Sequence, residues 1–266
     1  MLIAGFGGTY ADANIFPVNM PEDDWTLQRP AAARRVPFAG GAYDFSGTMQ
    51  DALAAYIVRK KFVLVSNYGH LEGDVSSLRK SLFGLGESKL WLDVRDGTHR
   101  WAWAKCTKFS LIEKVENQES AEINIEFYLR QGLWYGETLR QDGWVLSGGH
   151  WDIVNAGNIA TPVKVSITAK TTPITYAYVG KHEGGTTIVR FEYRGSIAAD
   201  KALVVDPAIY SAKNDGVGCY NDMTFLHADE RGRWLTIDPG TTRIDFGGTG
   251  GSGASTISFE WYDAWV

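Results

Sequence analysis

Hydrophobic and polar positions alternate between residues 234 and 261. Leu235 and Ile237 alternate with Trp234, Thr236 and Asp238; Ile244 and Phe246 alternate with Arg243 and Asp245; Ile257, Phe259 and Trp261 alternate with Thr256, Ser258 and Glu260. A period of two marks strands with one face in a core. Pro239-Gly240 supplies a turn, because proline fixes φ and glycine accepts positive φ. The three segments predict an antiparallel meander, with the polar run Gly247 to Ser255 as the tip of a long hairpin. By parity Trp234 is expected to face solvent and Trp261 the core.

Upstream, Tyr56 to Ser66 is rich in β-branched residues and predicts a strand. The segment GDVSSLRKSLFGLGE, 73–87, predicts a helix with Val75, Leu78, Leu82 and Leu85 on one face, capped by Asp74 or Ser76 and ended by Gly84 and Gly86. A hairpin follows, with arms Trp91 to Val94 and Arg100 to Lys105 around the turn pair Asp96-Gly97. Ile123, Ile125 and Phe127 alternate in the next strand.

The pattern changes around residues 135 to 145, which predicts a boundary between 137 and 138. Beyond it, Val163, Val165 and Ile167 open a series of short strands punctuated by turns, Pro162 among the turn residues, and no helical pattern appears. That series predicts a β-sandwich. The fold class expected is therefore mainly β: an N-terminal, split-barrel-like β domain with one helix (1–137), then an antiparallel β-sandwich (138–266). Residues 1 to about 35 carry several prolines, which forbid long regular elements. They also carry Phe16, Val18, Trp25 and Leu27. An irregular arm so decorated is expected to pack on its own domain or on a neighbouring subunit.

Composition narrows the function. The chain has 266 residues, 44% of them hydrophobic and 21% charged, with a net charge of −5. That balance supports a globular core and argues against a nucleic-acid or anionic-membrane binder, which would carry a basic patch. No basic n-region and no long apolar run open the chain, so synthesis in the cytoplasm without a signal peptide is expected. The two cysteines, Cys106 and Cys219, make neither a disulfide framework nor a zinc motif, and their pairing stays open. Ten tryptophans and thirty glycines stand out; most tryptophans are expected in the core and sheets, and most glycines in turns.

Candidate chemistry is sparse. There is no phosphate-loop signature and no nucleophile elbow. His70, Glu72 and Asp74 could converge if the HLEGD segment were extended, but a polar lead-in to the helix is the favoured reading. NDGVGCYND lacks the spacing of a calcium loop and reads as a turn. No catalytic residue, metal ligand or cofactor is expected. Trp234 is the candidate for a stacking contact with sugar or partner.

The order of motifs adds a resemblance. LWYG at 133–136, NAGNIATPVKVSI at 155–167, LVVDP at 203–207 and WLTIDPGTTRIDF at 234–246 resemble the C-terminal domain of siphophage distal tail proteins. There an N-x-G segment leading to P-V-x-V opens the sandwich, and a P-G hairpin precedes the final strand. Thr242 stands where that pattern usually has Asn. GTHRWAWAK at 97–105, with the arm, strands and helix, resembles the family's ring-forming domain. The resemblance implies a structural virion component without catalysis: a ring, usually a hexamer, at the end of the phage tail. One face of the ring meets the tail tube protein and the other the tail hub or tip. A galectin-like C-terminal domain projects outward and can carry baseplate or receptor-binding parts. The alternative is a carbohydrate-binding module acting in host attachment.

Overall fold

The computed structural model of the chain describes residues 2–6, 9–10, 15–17, 56–66, 70–94, 97–114, 120–129, 132–146, 148–183, 185–224, 234–251 and 255–265. The chain divides into two compact units, Met1–Glu137 and Thr138–Val266. Both are built from antiparallel sheets, as the alternation predicts, and the described residues contain one α-helix.

The first unit runs β1 (Leu2–Phe6), β2 (Thr9–Tyr10), β3 (Ile15–Pro17), β4 (Tyr56–Val65), α1 (Leu71–Gly84), β5 (Glu87–Asp93), β6 (His99–Lys114), β7 (Ser120–Leu129) and the start of β8 (Trp134–Val145). The ladders follow the order β2–β1–β5–β6–β7–β4–β3. Val58, Phe62 and Leu64 of β4, with buried Lys60 at the position between the first two, and Ile123, Ile125, Phe127 and Leu129 of β7 lie at alternate positions along each strand and are buried. Full burial of such a side chain contributes about 1.5–3 kcal/mol, so these ladders share a face too costly to slip by one residue.

The β5–β6 hairpin turns where Asp96-Gly97 predicts it. Gly97 has φ +82°, its N–H donates to Val94 O at 3.0 Å, and Val94 N–H donates to Thr98 O at 2.9 Å. Asp96 itself lies outside the described residues.

The helix starts earlier than its sequence predicts. His70 occupies the N-cap position without a side-chain cap, and Leu71 is buried with Leu82. Leu71, Val75, Leu78 and Leu82 follow helical spacing, so the apolar stripe extends one turn upstream and fixes the start there. Leu85 is exposed, not part of the stripe. Asp74 is no cap; its carboxylate in the first turn accepts a hydrogen bond from Ser66 Oγ, near the positive end of the helix dipole. Gly86, at φ +65°, follows the end of the helix.

The second unit continues with β9 (Gly149–Asn155), β10 (Thr161–Pro162), β11 (Lys164–Thr168), β12 (Ile174–Glu183), β13 (Thr186–Tyr193), β14 (Ala202–Asp206), β15 (Ser211–Asn214), β16 (Val217–Gly218), a 3₁₀ turn (Tyr220–Asp222), β17 (Met223–Thr224), β18 (Thr236–Ile237), β19 (Gly240–Gly250) and β20 (Thr256–Trp265). One sheet is ordered β16–β15–β14–β11–β20–β8, the other β17–β13–β12–β19–β9, with a short β10–β18 ladder beside them. Val165, Ile167, Leu203, Val205, Ile257 and Phe259 of the first sheet share one buried cluster with Ile153, Val179, Phe191, Ile244 and Phe246 of the second. This is the β-sandwich.

Two expectations are corrected here. The last three segments are not a meander. β18 pairs with β10, β19 pairs with β12 and β9, and β20 pairs with β11 in the opposite sheet. The glycine run is therefore a crossover between sheets, and its first part, through Gly250, is strand. Pro162 is not in a turn either. It pairs with Thr236 at the edge of the short ladder, a place where a missing N–H is tolerated.

Candidate functional site

The outer face of the β5–β6 hairpin is an aromatic surface. Alternation puts Leu90 and Leu92 into the core and leaves Lys89, Trp91, Trp101 and Trp103 on the other side. Trp101 is covered by its neighbours: its ring lies 4.8 Å from Tyr135 and 5.6 Å from Trp103, and Nε1–H donates to Gly136 O at 2.9 Å. Lys89 Nζ stands 4.0 Å from the Trp101 ring centroid, a favourable cation–π distance. Burial pulls the Lys89 ammonium below its ordinary pKa. The β4–β7–β6 region carries ion pairs instead, Arg59 and Lys108 on Glu126 and Lys61 on Glu122. The Arg59 and Lys108 pairs, whose cations stand in water, contribute about 1 kcal/mol or less. Of the arm residues, Phe16 sits in β3 with Val63 as its ladder partner; Val18, Trp25 and Leu27 lie outside the described residues.

In the second unit, Trp234 is half-buried and packs against the sandwich core, contrary to its expected exposure. Its ring meets Tyr210 edge-on at 5.8 Å. Tyr210 is exposed, has φ +52°, and accepts a hydrogen bond at its carbonyl from Tyr220 Oη. Trp261 is buried as parity predicts, and Nε1–H donates to Val154 O at 3.1 Å. Pro239 is exposed in the bend after β18, and Gly240, at φ +84°, opens β19. Asp215 (φ +51°) and Gly216 (φ +80°) form the two-residue turn between β15 and β16, as the NDG signal predicts.

Sequence reasoning missed two arrangements. Asn155 is fully buried; its amide donates to Ile159 O at 2.7 Å, and its Oδ1 accepts Gly157 N–H and Ala264 N–H at 3.0 and 3.3 Å. The other is an open groove on the outer face of the five-stranded sheet, where β12 presents Tyr176 and Tyr178. Its signal was the alternation in TYAYV, two aromatics on the face away from Ala177 and Val179.

His70, Glu72 and Asp74 do not converge in an extended segment, because α1 begins at Leu71 and turns residues two apart to different sides. Among the described residues no group of three histidine, cysteine or acidic side chains is placed to hold a metal, and no helix is long and apolar enough to cross a membrane. Cys106 and Cys219 are free, buried thiols in different units. Burial pushes both up in pKa, which makes them unreactive.

No family profile and no curated protein sequence matches this chain. Solved structures do. Over 77% of its length the chain is similar to 78% of a chain of the phage P2 baseplate in its activated conformation with Ca, at 13% identity and TM-score 0.46. A chain of the same baseplate with Sr gives 11% identity and TM-score 0.45. Over 98% of its length it is similar to 98% of the Dit (gp 19.1) protein of phage SPP1, at 12% identity and TM-score 0.65; that protein is described as a paradigm of the hub adsorption apparatus in phages infecting Gram-positive bacteria. The chain therefore has the fold of the SPP1 Dit protein, through both units.

Proposed function

We propose that this protein is a structural component of a phage tail tip, a distal tail protein of the siphophage type, without catalytic activity. The observation that carries the reading is the match in fold along 98% of both chains to the SPP1 Dit protein. The order of motifs from Leu133 to Phe246 supports it independently of the fold. On this reading the first unit, 1–137, closes a ring of identical subunits, joins the tail tube to the hub or tip, and uses residues 1 to about 35 as an arm onto the next subunit. The second unit, 138–266, offers attachment to other baseplate or receptor-binding parts. A ring needs two different complementary patches that close by rotation, and the aromatic face of the β5–β6 hairpin is a candidate for one of them, since interfaces are enriched in tryptophan and tyrosine.

Native mass spectrometry at several concentrations, with and without the tail tube protein of the same phage, tests this. Six chains of 29.4 kDa would give about 176 kDa. A closed oligomer in either condition is the expected result, and a monomer in both overturns the ring. Removal of residues 1–30 should reduce the oligomer; an unchanged oligomer would remove the arm from the interface.

A further inference from the structure

The groove on the five-stranded sheet has about 480 Å³ of open volume and is lined by Gly149, His150, Tyr176, Tyr178, Thr187 and Asp245. Four strands, β9, β12, β13 and β19, supply these residues. Tyr176 and Tyr178 lie two apart on β12 and so project on the same side; their rings are 6.2 Å apart, inclined at 37°, and each is half-buried. Tyr178 faces Gly247 across the ladder, and its ring occupies the place of the missing side chain: a Cβ on Gly247 would stand 2.6 Å from the ring. The glycine lets the ring lie down on the sheet and form a shallow floor.

The rim is polar. The Asp245 carboxylate accepts Thr187 Oγ1–H and lies 3.6 Å from His182 Nδ1. His150 is exposed beside it in the β9–β19 ladder, with Asp245 as its ladder partner. The formal charges on the rest of this face are matched locally: Arg243 on Asp152 at 3.1 Å and Arg194 on Glu192 at 2.7 Å. Burial, then the neighbouring Glu192, raise the Tyr176 pKa, so its phenol stays neutral.

A floor of aromatic rings and a rim of hydrogen-bonding groups that includes the Asp245 carboxylate disfavour an anion and select a ligand that is neutral, apolar on one face and rich in hydroxyls. A pyranose ring has these properties: its C–H face covers an aromatic ring while its hydroxyls reach a carboxylate and an imidazole. A nucleic acid would need a basic surface, and an extended peptide would add to a sheet edge rather than lie on a face. We propose that this groove binds a neutral saccharide, with Tyr176 and Tyr178 as the stacking floor and Asp245 and His150 as hydroxyl partners. The site is separate from Trp234 and does not depend on ring formation.

Saturation-transfer NMR on the full-length protein tests it, with maltotriose, chitotriose and N-acetyllactosamine as probes and 3′-sialyllactose as the anionic control. Transfer to ring C–H protons of at least one neutral probe is expected, with affinity reduced about tenfold in Tyr176→Ala and Tyr178→Ala and unchanged in Trp234→Ala. No neutral binding, binding in both tyrosine variants equal to the parent's, or loss in a Trp234→Ala variant whose circular dichroism and melting match the parent's overturns the assignment. If uncovering Gly247 unfolds Tyr178→Ala, hydrogen exchange on the unaltered protein decides. Protection by the bound probe within 149–151, 176–178 and 243–247 supports the groove, and protection confined to other segments overturns it. The solution mass reports separately on the ring, so the failure of one reading is distinguishable from failure of the other.

Discussion

Gly157 and Ala264 meet backbone to backbone: a Cβ on Gly157 would stand 1.8 Å from the Ala264 carbonyl oxygen and 2.6 Å from its carbonyl carbon. The same carbonyl accepts Asn158 N–H at 2.9 Å and Ile159 N–H at 3.3 Å. The Asn155-Ala156-Gly157 lead-in is thus a clamp on β20. Asparagine supplies the hydrogen bonds and glycine supplies the room.

Gly157→Ala should therefore destabilise the protein by about 3 kcal/mol, because neither backbone can move away without breaking those bonds. The control is Gly73→Ala in α1. Nothing lies within 4 Å of a Cβ there, and alanine should stabilise the helix by up to about 1 kcal/mol. Urea unfolding of both variants measures the contrast; equal effects would refute the clamp.

Asn155→Asp tests the other half of the clamp. The substitution keeps an oxygen for Gly157 N–H and Ala264 N–H but turns a second oxygen toward the Ile159 and Ile237 carbonyls. An ionised carboxylate there is buried against acceptors, so its folded pKa must rise above the ordinary aspartate value of about 3.9. The protonated form can donate and restore the bond. The stabilising contribution is thus present below the unfolded value and lost as pH rises through the folded one. The gap in stability between the variant and the parent should be wide at pH 7 and narrow at pH 4. A gap independent of pH would show that the carboxylate escapes to solvent.

Asp263 joins the same corner from β20. Its side chain is 7% exposed and Arg140's is 51% exposed, with Nη2 to Oδ2 at 3.2 Å; Oδ1 accepts Ala156 N–H at 2.9 Å. Because the arginine is half in water, the ion pair itself is screened and contributes about 1 kcal/mol or less. The backbone hydrogen bond to a buried carboxylate matters more. Asp263→Ala should then cost about 2 kcal/mol, and Arg140→Ala at most half of that. A double-mutant cycle in which the coupling matched the whole Asp263→Ala effect would reverse that order.

Much of the architecture is legible from alternation alone. Leu90 and Leu92 against Trp91 fix the inner face of the β5–β6 hairpin, and Val165 with Ile167 does the same for β11. Local pattern gives a strand and its face, but not its partner. Leu235 to Trp261 read as a meander because turns separate the strands, yet the pairing of β19 with β12 and of β20 with β11 is decided by which inner faces fill one core. The glycines after Phe246 read as slack for a related reason: a sequence does not show what presses on it. Gly248 carries the carbonyl oxygen of Tyr176 at 2.7 Å from its would-be Cβ, and Gly250, at φ +78°, that of Pro173 at 2.6 Å. The groove was only half legible in turn: the alternation in TYAYV marks its two aromatics, but Thr187 and Asp245 come from other strands whose order no local signal reveals.

Cys219 and Tyr193 couple this core to pH. Burial is the largest cause that raises the Cys219 thiol, with the Asp222 charge behind it; burial also leads for Tyr193, followed by Cys219 and Asp222. Both groups are neutral in the folded state, and unfolding would free them to ionise at their ordinary values, about 8.5 for cysteine and 10 for tyrosine. A raised folded pKa means stability fully present below the unfolded value and lost as pH rises through the folded one. Unfolding free energy should hold level up to about pH 8.5 and decline above it. Cys106, raised by burial in the first unit, contributes in the same direction, so the variants must be compared separately. Cys219→Ala should flatten the decline between about pH 8.5 and 10 in the unfolding of the second unit and leave the later part, due to Tyr193, in place. If the parent and Cys219→Ala fall in parallel across that interval, the thiol is not held neutral by the fold and the alkaline sensitivity has its source elsewhere.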